Sequence, residues 1–164
     1  LYFGDRAGSN YSGVIDPELT GDDFSGRFNP GLHNEVKSFM INPFIAYKGF
    51  EVFGTYEKTS GTGYDEFLNG ERDFDQIAIE GVYRFLENRN LYVGLRYNKV
   101  EGENAFSNND IEVSRVQIAA GWYVTNNIAL KLEYVSQDYD GFAEGSVEDG
   151  AEFDGFIMEG AISW

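Results

Sequence analysis

The chain has 164 residues, 28 Asp and Glu against 12 Lys and Arg, a net charge of −16, no cysteine and one histidine. That balance excludes nucleic acid as a partner, since phosphate binding needs clustered Lys and Arg. The missing cysteine excludes disulfides, thiolate metal sites and a thiol nucleophile. No run of about 18 apolar residues exists, so no transmembrane helix is available, and no signal peptide opens the chain, which reads as a mature form or a trimmed piece.

A mean hydropathy of −0.38 suggests water solubility. It averages over an alternation that runs nearly the whole length. Leu1 to Asn10 reads as a first strand of uncertain face, broken by Gly4 and Gly8, and Tyr11 to Lys37 as a long polar loop with Pro17 and Pro30. Phe39, Ile41, Pro43, Ile45 and Tyr47 then alternate with Met40, Asn42, Phe44, Ala46 and Lys48; Pro43 lacks a ladder donor and marks a bulge or a weakened strand. After a tight turn at Lys48-Gly49, Phe50, Val52, Gly54 and Tyr56 alternate with Glu51, Phe53, Thr55 and Glu57. Residues 59–73 read as a Gly-rich acidic loop.

The scheme repeats. Ile77, Ile79, Gly81, Tyr83 and Phe85 lie on one face, with Gln76, Ala78, Glu80, Val82 and Arg84 on the other. A short link at 87–90 leads to Leu91, Val93, Leu95 and Tyr97 against Tyr92, Gly94, Arg96 and Asn98, and residues 101–112 form another polar loop. The clearest hairpin follows: Val116, Ile118, Ala120, Trp122 and Val124, a turn at 125–127, then Ile128, Leu130, Leu132 and Tyr134. Its other face carries Arg115, Gln117, Ala119, Gly121 and Tyr123, then Ala129, Lys131, Glu133 and Val135. Side chains alternate across a strand, so each hairpin offers one apolar and one mostly polar ribbon. The acidic loop 138–154 precedes a last strand with Phe156, Met158, Gly160, Ile162 and Trp164 on one face. Eight strands are counted in one domain spanning 1–164, with 1–37 weakly patterned and 38–164 regular.

Two regularities go beyond "antiparallel β". Short connections (48–49, 87–90, 125–127) alternate with long ones (12–37, 59–73, 101–112, 138–154), as in outer-membrane barrels with short periplasmic turns and long external loops. Aromatics also sort by height on the apolar face. Tyr56, Tyr97 and Tyr134 are each the fourth outward residue after a short turn, hence at one depth, while Tyr47, Tyr83, Phe85, Trp122 and Trp164 gather near the short turns. Two aromatic rings bounding an aliphatic band suit the two headgroup interfaces. Strands of roughly 9–11 residues match a tilted crossing of a bilayer.

The terminal Trp164, preceded at every second position by Ile162, Gly160, Met158 and Phe156, resembles the closing-strand signature of bacterial outer-membrane β-barrel proteins. Gly160 departs from it, since a bulkier residue is usual there. The resemblance implies an all-β, antiparallel up-and-down transmembrane β-barrel, porin-like or of the small OmpA type, or the C-terminal portion of a larger porin. It also implies residence in the bacterial outer membrane, contact with lipid bilayer and lipopolysaccharide, and recognition of Phe156 to Trp164 by the barrel-assembly machinery.

With the aliphatic ribbons facing lipid, the lumen receives Lys48, Glu51, Glu57, Glu80, Arg84, Arg96, Arg115, Lys131, Glu133 and Glu159, both signs nearly balanced. Charges in a narrow lumen are expected to pair, with Arg115–Glu133 and Arg96–Glu80 as candidates. Two uses of that lining stay open: a structural network filling a small barrel, or the selectivity wall of a water-filled pore. No enzyme is expected, because His33, the sole histidine, lies in a loop rich in turn residues and nothing assembles a catalytic set around it. The pattern nominates no cofactor and no metal ligand. Asp138-Tyr139-Asp140-Gly141 partly resembles a calcium loop but lacks EF-hand spacing. A solvated acidic surface, bridged to lipopolysaccharide phosphates by divalent cations, is the preferred reading of 138–154. Two rival functions are a scaffold or assembly partner docking another protein through the acidic loops, and a soluble calycin-type barrel with the apolar face inside around a ligand.

Overall fold

A computed structural model describes residues 30, 32, 34–63, 70–104, 110–146 and 148–164. The proposed first strand at 1–10 and His33 lie outside the described residues. Alternation produces eight strands: β1 (Asn34–Ile41), β2 (Phe44–Tyr47), β3 (Phe50–Thr62), β4 (Arg72–Phe85), β5 (Leu91–Glu103), β6 (Asp110–Thr125), β7 (Ile128–Asp140) and β8 (Glu152–Ile162). They form one antiparallel up-and-down sheet, and among the described residues every pairing joins consecutive strands except that of β1 with β3. β1 and β2 both pair with β3 and share one edge of the sheet; β8 is the other.

Pro43 explains why 39–48 is two strands and not one. It cannot donate to a ladder, and the pairing stops at Ile41 and resumes at Phe44. Its carbonyl still accepts the Gly54 amide at 2.9 Å, so the two pieces stay in line. The long connections are shorter than the sequence reading made them. β1 begins at Asn34, β3 runs to Thr62, β4 starts at Arg72, β5 reaches Glu103, β6 starts at Asp110, β7 reaches Asp140 and β8 starts at Glu152. On these extensions the outer face turns polar, so the apolar outward ribbon ends, yet backbone pairing continues and the inner face still buries Phe74, Ile111, Val113 and Tyr139.

The short turns are built for a twisted ladder. Lys48 and Gly49 have φ of 48° and 85°, and two consecutive left-handed residues make the mirror-image turn that matches the twist of a hairpin. Each turn is then tied to the next hairpin. Arg84 N–H donates to Gly49 O (2.8 Å), Tyr123 N–H to Asn90 O (2.7 Å) and Ser163 N–H to Asn127 O (2.9 Å).

The two faces differ sharply in burial. One buries Phe74, Ala78, Glu80 and Val82 of β4, Tyr92 of β5, Ile111, Val113, Gln117 and Ala119 of β6, and Glu133, Val135, Gln137 and Tyr139 of β7. The other exposes Ile77, Ile79, Leu95, Ile118 and Leu132. No second layer is present among the described elements. A lone sheet buries one face only by curling around it, so the buried face is the inner one.

Candidate functional site

Alternation within β6 and β7 carries the central polar cluster inward. Gln117 Nε2 donates to Glu133 Oε1 at 2.8 Å, and Glu133 Oε2 lies 3.0 Å from Lys131 Nζ. Lys131 also reaches Glu159, its direct partner on β8, at 3.4 Å. Glu133 is only 1% exposed and Gln117 2%. A carboxylate this buried requires compensation, and the amide and ammonium supply it. Further along the same face, Arg115 Nε donates to Gln137 Oε1, and Gln137 Nε2 is bonded to the Tyr139 hydroxyl.

Towards the short turns the interior becomes aromatic. Val82, Tyr92 and Ala119 form one buried cluster. The Arg84 guanidinium sits 5.6 Å from the Tyr92 ring centroid and donates through Nε to Glu51 Oε1 at 2.9 Å. Tyr123 adds a ring 5.9 Å from that of Tyr92. Side chains thus fill this end of the inner face.

The predicted inner residues are mostly where alternation put them. Glu51, Glu57, Glu80, Arg84, Arg96, Arg115, Lys131, Glu133 and Glu159 share the inner face by register. Lys48 does not. It occupies the turn, and its ammonium lies 5.1 Å from the ring of Tyr47 on the outer face. The expected Arg115–Glu133 pair is also replaced, because the register sets Arg115 opposite Gln137 and Glu133 opposite Ala119. Arg96 and Glu80 are opposite one another, but no ion pair joins them, and Arg96 Nε is buried without a hydrogen bond. Sequence reasoning sought charges and so passed over the neutral amides, Gln117, Gln137 and the bonded Gln76–Asn98 pair (3.0 Å). Their inward parity was the available signal. It also passed over Arg72, assigned to a loop, whose guanidinium reaches Pro30 O at 2.8 Å and Glu103 O at 3.2 Å.

On the outer face the three tyrosines follow an inclined line. Tyr56 is in register, through Ile77, with Lys99, two residues past Tyr97. Tyr97 is in register, through Val116, with Ser136, two residues past Tyr134. The line thus steps one residue per strand. At ~3.3 Å per residue and ~4.8 Å between strands, it lies level when the strands lean by about 35°, inside the range of closed barrels. The other ring members, Tyr47, Tyr83, Phe85, Trp122 and Trp164, are exposed near the short turns.

No protein-family model matches the chain, and no curated protein matches it by sequence. The site is therefore read from its own geometry.

Beyond the tyrosine line the outer face turns acidic. Asp75, Glu101, Glu112 and Asp140 stand directly opposite one another on four consecutive strands. Like charges in cross-strand register repel. Lys99 relieves two of them, lying 2.7 Å from Glu101 and 3.0 Å from Glu112. Tyr56 donates its hydroxyl to Asp75 at 3.0 Å. Among the described residues, no group of three acidic or histidine side chains is placed to hold a metal ion.

Proposed function

We propose that the protein is an integral β-barrel of a bacterial outer membrane, without enzymatic activity, acting as a structural or porin-like barrel. The observation that carries this reading is the inverted distribution of polarity. Ile79 is 55% exposed on the outer face while Glu133 is nearly sealed on the inner one. Water would favour the reverse arrangement, and hydrocarbon favours this one. The same inversion argues against a calycin-type barrel, which would bury the aliphatic ribbons. The tyrosine line and the aromatics near the short turns add two belts of the kind that bilayer interfaces attract. Its partners in this reading are lipid, lipopolysaccharide at the acidic rim, and the assembly machinery at Phe156 to Trp164. Between channel and filled barrel, the buried Gln117–Glu133–Lys131 cluster and the Tyr92 cluster favour a filled interior with negligible conductance.

A second reading, docking of a basic protein partner through the rim, is favoured by the in-register row Asp75–Glu101–Glu112–Asp140.

The test uses the only two tryptophans, Trp122 and Trp164. Refolded into vesicles of brominated lipid, both should be quenched, and protease added outside should cut within 141–151 but not at 126–127. Unquenched tryptophans would reject the membrane reading. In a planar bilayer, steady conductance whose ion preference changes on Lys131→Gln would reject the filled interior and leave the barrel.

A further inference from the structure

We propose that two neighbouring grooves on the outer face hold the two acyl chains of one phospholipid, whose phosphate is met by Lys48 and Arg89 at the short turns. The first groove, of about 640 Å³, lies over Gly81 between Val52 of β3, Tyr83 of β4 and Leu95 of β5. The second, of about 400 Å³, lies over Ala120 between Phe85, Leu91, Trp122 and Met158. Val93 of β5 lines both. Both volumes are in the range of small-ligand sites. The proposal rests on the membrane reading and adds to it one lipid held in place.

Gly81 is the residue that asks for an occupant. It sits inside β4 in ordinary strand backbone, where glycine weakens a strand unless something fills its space. At Gly102 and Gly121 an inner ring does so, whereas a Cβ on Gly81 would meet nothing within 4 Å. Whatever covers Gly81 therefore comes from outside the sheet. Ala120 lies at the same height. Register carries Gly81 through Leu95 to Ile118, and Ala120 is two residues beyond, the same step that the tyrosine line takes. Two hollows at one height, with only β5 between them, suit two chains joined at a common head.

The end at which the grooves meet the turns decides which head. Phe50 directly follows the Lys48-Gly49 turn, and Phe85 and Leu91 flank the turn at 86–90. Lys48 and Arg89 are exposed at those turns, and the Lys48 ammonium leans over the outward Tyr47 ring at 5.1 Å. Even with Glu87 between them this mouth is net positive, in a chain of net charge −16. The third turn, Thr125-Asn126-Asn127, carries no charge. A phosphate at headgroup level complements the two cations, and acyl chains match the apolar walls. A second copy standing the same way up would instead bring like cations to the same level.

The two tryptophans report separately, since Trp122 lines the second groove and Trp164 lines neither. The full chain is refolded as Trp164→Phe and as Trp122→Phe in phosphatidylcholine vesicles. Each receives equal minor fractions of brominated phosphatidylglycerol or brominated phosphatidylcholine. So acidic a chain repels anionic lipid in general, and a preference for it requires a site. Trp122 is expected to be quenched at a several-fold lower fraction of brominated phosphatidylglycerol, with no such preference at Trp164. Lys48→Gln with Arg89→Gln should abolish the preference. So should Gly81→Leu, which fills the far groove away from Trp122. Equal quenching of Trp122 by both lipids, a preference shared by Trp164, or one that survives either change would overturn the proposal and leave the membrane reading. Quenching of Trp164 without Trp122 would do the same, by showing that a protein surface covers the grooves. No quenching of either tryptophan would overturn both.

Discussion

Tyr92 packs its ring over the bare backbone of Gly121, its direct cross-strand partner. A Cβ built on Gly121 would overlap the ring, and Phe74 covers Gly102 in the same way one strand pair earlier. Glycine weakens a strand unless something fills the space, and here an aromatic neighbour does. Gly121→Ala should cost about 1–3 kcal/mol by overpacking, measured by denaturant unfolding in detergent. Tyr92→Ala should cost more through the cavity it leaves, and the double variant should cost clearly less than the sum. Strict additivity would mean that ring and glycine do not share the space.

The faces are tested by placing one charge on each. Ile79→Arg or Leu132→Arg puts a guanidinium in the mid-height aliphatic band and should cost about 2–4 kcal/mol in a lipid refolding titration. Thr55→Arg, on the half-exposed inner face of β3, should cost far less. Gln117 is unsuitable as the inner control because its amide is committed to Glu133. Equal losses on both faces would remove the lipid-facing assignment.

Lys131 stands between two carboxylates, so its removal strands a buried charge. Lys131→Met should destabilise by roughly 3–5 kcal/mol, the usual cost of breaking a buried pair on one side. Glu133→Gln added to it should recover much of the loss, since Gln117 can still bond a neutral amide. A double variant as unstable as Lys131→Met would show that packing, not charge, sets the cost.

Glu71, in the connection between β3 and β4, accepts from the Ser60 hydroxyl at 2.7 Å and from Lys37 at 3.2 Å. The hydroxyl first and the ammonium second hold its carboxyl below the usual carboxylate range. A group whose pKa is depressed in the folded state adds stability above its unfolded value and loses it as pH falls through the folded one. The stability difference between the parent and Glu71→Gln should therefore be present at neutral pH and vanish in acid. A difference that is flat from pH 7 to 3 would contradict the contact.

The sequence was legible where physics enforces a period of two. From Gln76 to Tyr97 and from Arg115 to Tyr134 the faces follow from alternation, because a slip of one residue would exchange the two environments. Legibility failed where the chain leaves the apolar band. At 59–62, 101–103 and 138–140 the outer face is polar, so the outward apolar ribbon no longer marks the strand, while the backbone ladder, silent in side-chain chemistry, carries it onward. The inner pairings failed for another reason. Parity names a face but not a partner, and Arg115 met Gln137 rather than Glu133 because register, set by the turn at 126–127, places them together. Lys48 was misplaced because a turn residue with positive φ belongs to neither face.

The constant offset between successive hairpins also bears on how such a chain can change over generations. Each hairpin from the Lys48-Gly49 turn onward carries its turn bonded to the following one, with its outer tyrosine displaced by the same two residues. A duplicated or deleted hairpin would leave its neighbours facing as before, whereas loss of a single strand would reverse every direction downstream. A one-residue insertion within a strand would swap oil-facing and interior side chains along the rest of that strand. Lineages built on this plan are thus free to grow or shrink two strands at a time, and hardly at all in smaller steps.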